Sequence, residues 1–79
     1  MTKEKIIDAI LNSKIAEIYD VHNYLIYADQ CRTHEETILS VCSEGIIVIY
    51  DNGDLAYTYA LTPFEEIAKI VILKEVILE

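Results

Sequence analysis

The dipeptide Asn52-Gly53, set between two runs of β-branched and aromatic residues, constrains this chain more than any other feature. Asn and Gly both tolerate positive φ, which a two-residue type I′ turn demands, so the pair predicts a β-hairpin. The flanking runs are 46–50 (Ile-Ile-Val-Ile-Tyr) and 55–61 (Leu-Ala-Tyr-Thr-Tyr-Ala-Leu). A third run, 37–42, precedes the turn signal Ser43-Glu44-Gly45, and the three together read as an antiparallel meander. A two-residue turn pairs Tyr50 with Leu55, Val48 with Tyr57 and Ile46 with Tyr59. One face of the hairpin then carries Tyr50, Tyr57, Tyr59, Ile46, Val48 and Leu55. The other carries Ile47, Ile49, Ala56, Thr58 and Ala60, small enough in part for a helix to approach.

Helices are expected on both sides of the meander. Thr2 can cap a helix over residues 2–13, where Ile6, Ile7, Ile10 and Leu11 recur at helical spacing. Ile15 and Ile18 continue that stripe and would carry the helix to Tyr19. Residues 21–28 fit either element, and Tyr24-Leu25-Ile26-Tyr27 favours strand. Residues 29–36 are polar and aperiodic, hence a loop. Thr62-Pro63-Phe64-Glu65 has the form of a helix start, with Thr62 as cap, Pro63 at the first helical position and Glu65 completing a capping box. From Ile67 onward apolar residues would surround such a helix, which must then be buried in its own core or a partner's. The β-branched crowding over 70–78 leaves strand as the alternative there. The expected fold is therefore α+β. A single domain over 1–79 would hold a meander of three or four strands between an N-terminal and a C-terminal helix.

Charge narrows the partners. The chain carries 14 acidic against 6 basic residues, a net charge of −8, in a composition that is 53% hydrophobic. Such apolar content excludes disorder, and the negative field repels phosphate backbones while attracting basic surfaces. Apolar runs fall short of the roughly 20 residues of a membrane span. The first residues, Met1-Thr2-Lys3-Glu4-Lys5, lead into an amphipathic segment and not into a signal core. A cytoplasmic protein with reduced Cys31 and Cys42 is expected.

Catalytic and metal chemistry find little support. His22, Cys31, His34 and Cys42 are zinc ligand types, but only Cys31-x-x-His34 has close spacing, so no metal is expected. Asp51-Asn52-Gly53-Asp54 lacks the ligand ladder of an EF-hand and is explained by a turn. Neither a nucleophile elbow nor a phosphate-binding glycine loop is present. The expectation is no enzyme and no cofactor.

The side chains that fit partner binding are carboxylates and tyrosines. Six tyrosines stand against one phenylalanine and no tryptophan, and tyrosine combines apolar area with a polar rim group suited to interface hot spots. Along a meander, Glu35, Glu36, Asp51 and Asp54 gather at one end, and Glu44 meets Glu65 and Glu66 at the other. Together with Tyr57 and Tyr59 these are the candidate partner-binding residues.

In size, charge and layout the chain resembles the small acidic inhibitor proteins encoded by phages and other mobile elements, of which anti-CRISPR proteins are the best-known group. That resemblance implies an inhibitor acting in the cytoplasm of a bacterial host cell. Its acidic surface would occupy the nucleic-acid groove of a basic protein such as a CRISPR-Cas effector or other defence nuclease, as a DNA mimic does. The group shares no motif, so no residue roles carry over; an acidic immunity protein is a close variant. The alternative from a different class is a homo-oligomeric structural or accessory protein. In either case the apolar segment 70–78 is expected to support a homodimer.

Overall fold

A computed structural model describes residues 1–29, 36–51 and 57–73. Among these residues the architecture is α+β: one α-helix and two antiparallel sheets of three strands each. Helix α1 spans Lys3–Asn12. The Thr2 hydroxyl accepts the Lys5 N–H at 3.3 Å, filling one of the orphan donors of the first turn, and the Ser13 N–H closes the last turn on the Ala9 carbonyl. Ile6 is fully buried, and Ile7, Ala9 and Ile10 pack beside it, while Leu11 points to solvent.

The helix does not continue to Tyr19. Residues Ile15–Asp20 form strand β1, which pairs with β2 (Leu25–Ala28) on one side and β6 (Ile67–Ile72) on the other. The spacing of Ile15 and Ile18 misleads because of a bulge. On β1 the register against β6 steps from Ile15↔Ile72 to Glu17↔Val71, leaving Ala16 unmatched. An extra residue lets positions three apart face the same side, so both isoleucines reach the core from a strand. Between β1 and β2 the chain turns at 21–24. The Asp20 carboxylate accepts the N–H groups of His22 and Tyr24 at 2.8 and 2.9 Å, and Asn23 takes a left-handed φ of 65°.

The expected C-terminal helix is replaced by a strand. Thr62 and Pro63 end strand β5 (Tyr57–Pro63), Phe64–Glu66 make one 3-10 turn, and the chain enters β6 directly. No side chain caps that turn, so the anticipated Thr62–Glu65 box does not form. The reason parallels β1. Ile67 and Ile70 face the core around the unmatched Ala68, where the register steps from Tyr19↔Lys69 to Asp20↔Ile67. β-Branched Ile67, Ile70, Val71 and Ile72 suit this pleated environment. The part of the 70–78 segment beyond Leu73 lies outside the described residues.

The meander is observed as β3 (Glu36–Val41), β4 (Gly45–Asp51) and β5, in that spatial order. Inner faces of both sheets meet α1 in one core of Ile6, Ile15, Ile18, Tyr27, Ile46, Val48, Phe64 and Ile67. Lys3 lies over the Phe64 ring at 5.5 Å, joining helix and 3-10 turn. Tyr50 ties the sheets together: its hydroxyl donates to the Ile26 carbonyl at 2.7 Å. Ile26 is itself the unmatched residue of β2, where Ile18↔Tyr27 steps to Tyr19↔Leu25. A bulge leaves backbone groups outside the ladder, and the Tyr50 hydroxyl reaches one of them.

Candidate interaction surface

The hairpin register decides which side chains face outward. Asp51 pairs with Tyr57, Tyr50 with Thr58, Ile49 with Tyr59 and Val48 with Ala60. Against the expected Tyr50↔Leu55 pairing this is a slip of three positions, an odd number, which exchanges the two faces of β5 relative to β4. The supposed tyrosine face is thereby divided. Tyr50 lies on the core side with Ile46 and Val48, while the Tyr57 and Tyr59 positions lie on the opposite side with Ile47 and Ile49. The turn expected at Asn52-Gly53, with Leu55 and Ala56, falls outside the described residues.

What faces away from the core is an apolar sheet surface. Two adjoining rungs cross it: Ile38–Ile49–Tyr59 and Ser40–Ile47–Leu61. Ile38 is 43%, Tyr59 62% and Leu61 41% exposed, with Ile47 and Ile49 half-buried between them. An exposed apolar patch of this kind on one face of a sheet marks a binding surface more often than a casual apolar residue does. The sequence names Tyr59 as a partner-binding candidate but puts Ile47 and Ile49 on the opposite face, the one open to a helix. Since 46–49 is aliphatic throughout, β4 carries no alternation of its own to reveal the side it buries.

The carboxylates divide between the two ends of this sheet. Glu36 and Asp51 are direct register partners on the rung that includes Tyr57. Glu35 and Asp54, expected beside them, lie outside the described residues. At the far end Glu44 sits exposed in the β3–β4 turn, and Gly45↔Pro63 pairing brings that turn alongside the 3-10 segment holding exposed Glu65 and Glu66. The strand between these ends is seven residues long, roughly 20 Å.

The second sheet presents a different surface. On its outer side the Tyr19 hydroxyl donates to the Glu17 carboxylate, and Lys69 lies over the Tyr19 ring at 5.4 Å. The bond to Glu17, followed by burial and the Glu17 charge, raises the Tyr19 pKa above 10.0. An open cleft of about 380 Å³ beside this face is lined by Ala16, Glu17, Leu25, Ala28, Asp29 and Leu73. Among the described residues no three metal-ligating side chains cluster. Of the sequence's zinc-type residues, His22 is exposed and stacks obliquely near Tyr24, and Cys42 is a free thiol. Cys31 and His34 lie outside the described residues. Among those residues, too, no helix is long and apolar enough to cross a membrane. No family model, curated protein or solved structure matches the chain.

Proposed function

We propose that this chain is a non-catalytic protein-binding domain, an acidic inhibitor that docks on a basic nucleic-acid-binding protein and blocks its nucleic-acid site. A bacterial defence nuclease such as a CRISPR-Cas effector is the partner class that best fits a net charge of −8. The observation that carries the reading is the outer face of β3–β4–β5, where exposed Ile38, Tyr59 and Leu61 lie between acidic residues at both ends of the sheet. In such an arrangement the acidic ends steer encounter and the apolar centre holds the complex.

The test is DNA binding and cleavage by purified defence nucleases, with and without the protein, at low and high salt. Inhibition should weaken steeply with salt. Neutralising Asp51, Asp54, Glu65 and Glu66 together should slow association. Replacing Tyr57 and Tyr59 with alanine should instead speed dissociation, once circular dichroism shows that each variant folds. A partner that binds every variant like the parent, at any salt, would remove the reading.

A further inference from the structure

Among the described residues β5 is an uncovered edge strand. In the sheet order β3-β4-β5 it has a neighbour on one side only. Its sequence, Tyr-Thr-Tyr-Ala-Leu-Thr-Pro, holds no charge, and its register against β4 is unbroken over seven pairs. Natural edges are normally blunted by lysine, proline, bulges, shortness or cover, and of these β5 carries only Pro63, at its very end. The other edges show such devices. β6 has Lys69 and a bulge, β2 is four residues long and bulged, and β3 approaches β2 where Tyr50 bridges to Ile26.

The direction of the free backbone groups follows from one hydrogen bond. The Cys42 N–H donates to the Gly45 carbonyl at 2.9 Å, so the Gly45 peptide groups point toward β3. Alternation turns those of Ile46, Val48 and Tyr50 toward β5, and their partners Thr62, Ala60 and Thr58 complete that ladder. The N–H and C=O groups of Tyr59 and Leu61 therefore point away from the sheet. Among the described residues no other element bonds to them.

We propose that a second copy of this chain pairs antiparallel along β5, about a twofold axis at Ala60, joining two three-stranded sheets into one of six strands. This register overlaps the whole strand, Tyr57 to Pro63. It sets Tyr59 opposite Leu61 of the second copy, in the position where the two residues exchange both outward-facing hydrogen bonds. Aromatic–aliphatic pairs of this type stabilise a sheet, and no like charges meet within the strand. Pro63 falls at the end of the overlap, where a missing N–H removes least. The apolar outer faces become continuous across the axis, doubling the surface that a partner would meet.

Cysteine cross-linking tests the register. Ala60 opposite Ala60 is a non-hydrogen-bonded pair with Cα atoms about 4.5 Å apart, inside the disulfide window of about 4.4–6.8 Å. With Cys31 and Cys42 changed to serine, Ala60→Cys should form a covalent dimer in oxidised glutathione. Tyr59→Cys, displaced diagonally from its own copy, should do so far more slowly. Leu61→Pro removes an outward N–H without touching the β4 ladder, and should raise the dimer dissociation constant roughly tenfold or more. Salt should strengthen the dimer, because each copy carries −8, the reverse of binding to a basic partner. A parent that sediments as a monomer at every accessible concentration would overturn the proposal. So would cross-linking of Tyr59→Cys as fast as Ala60→Cys. Neither readout involves a basic partner, so failure here leaves the inhibitor reading to stand or fall by its own test.

Discussion

The two sheets share one core and have the same strand number, yet they are built on opposite plans. The sheet β2-β1-β6 is interrupted on both flanks of its central strand, with Ala16, Ile26 and Ala68 each lacking a register partner. In β3-β4-β5 every residue from Glu36 to Val41 and from Gly45 to Asp51 has its partner in strict sequence. The outer faces differ in the same sense: a Tyr19–Glu17 hydrogen bond with Lys69 over the ring on one, aliphatic rungs ending in Tyr59 and Leu61 on the other. Bulges twist a sheet and spoil its edges as templates, and on the outer face of the first sheet exposed Leu25 stands beside Tyr19 and Lys69 and not in an unbroken apolar rung. Regular pairing and apolar rungs leave the second sheet suited to contact other molecules. In a chain this acidic, the proposed binding surface is marked by where charge is missing.

The largest expected effects separate the inner side of the regular sheet from its outer side. Ile46 is fully buried, so Ile46→Ala should cost about 2–5 kcal/mol, a large share of the roughly 5–15 kcal/mol that holds a small domain together. Ile38→Ala, on the exposed face, should cost about 1 kcal/mol or less. Urea unfolding of both variants checks the assignment of faces. Equal losses would mean that both sides of this sheet are packed, and the proposed docking surface would disappear.

Gly45 sharpens the same point at the end of the sheet. A Cβ there would collide with the Thr62 carbonyl oxygen and come within 2.8 Å of Pro63 Cα. The glycine is required by the close approach of β5, and the obstruction is backbone, which cannot rotate aside. Gly45→Ala should therefore destabilise by about 1–3 kcal/mol, and hydrogen exchange should show the loss concentrated in β4 and β5. A neutral substitution would imply that β5 sits further from β4 than the Gly45↔Pro63 register requires.

Tyr50→Phe probes the link between the sheets. It deletes the hydroxyl that donates to Ile26, leaving that carbonyl without this partner, at a cost of about 1–3 kcal/mol. Amide exchange should quicken in β2, which has only four residues and a bulge to hold it. Unchanged protection in β2 would show that the sheets are held together by core packing alone.

These elements also mark where sequence was informative and where it was not. The capped N-terminal helix and the three strands of the meander were legible, because Thr2, Gly45 and the β-branched runs act locally. The helix-like pairs Ile15/Ile18 and Ile67/Ile70 were not, since a bulge gives a strand the same three-residue spacing that a helix shows. Thr62-Pro63 has the local chemistry of a helix start, but pairing of β6 with β1 overrides it. The candidate surface turned on register. Big and small residues alternate along β5, so its two faces are distinct, but only the β4 pairing says which one looks outward. Tyr59 could be nominated from its residue type. Leu61 could not, because its exposure follows from a slip that the Asn52-Gly53 signal did not encode, and Ile38 could not, because its side is set by pairing with Ile49.

The smallest expected effect compares two tyrosines of the bulged sheet, one on each face. Tyr27 is buried in the core, and burial, with a smaller contribution from the Asp29 charge, raises its pKa above 10.0. Tyr19, on the outer face, has its pKa raised mainly by the bond to Glu17. For a phenol raised in the folded state, the neutral form is favoured by folding. Its contribution is complete below the unfolded pKa of about 10 and is lost as pH rises through the folded value. Thermal melts at increasing pH above neutrality should therefore show stability falling on the alkaline side. Tyr27→Phe removes the group that must ionise in the core, and should flatten that fall relative to the parent. Tyr19→Phe should leave it nearly unchanged, because a solvated outer face screens the charge that forms. If Tyr19→Phe flattened the alkaline limb and Tyr27→Phe did not, the inner and outer faces of β2-β1-β6 would be reversed, and with them the contrast between the two sheets.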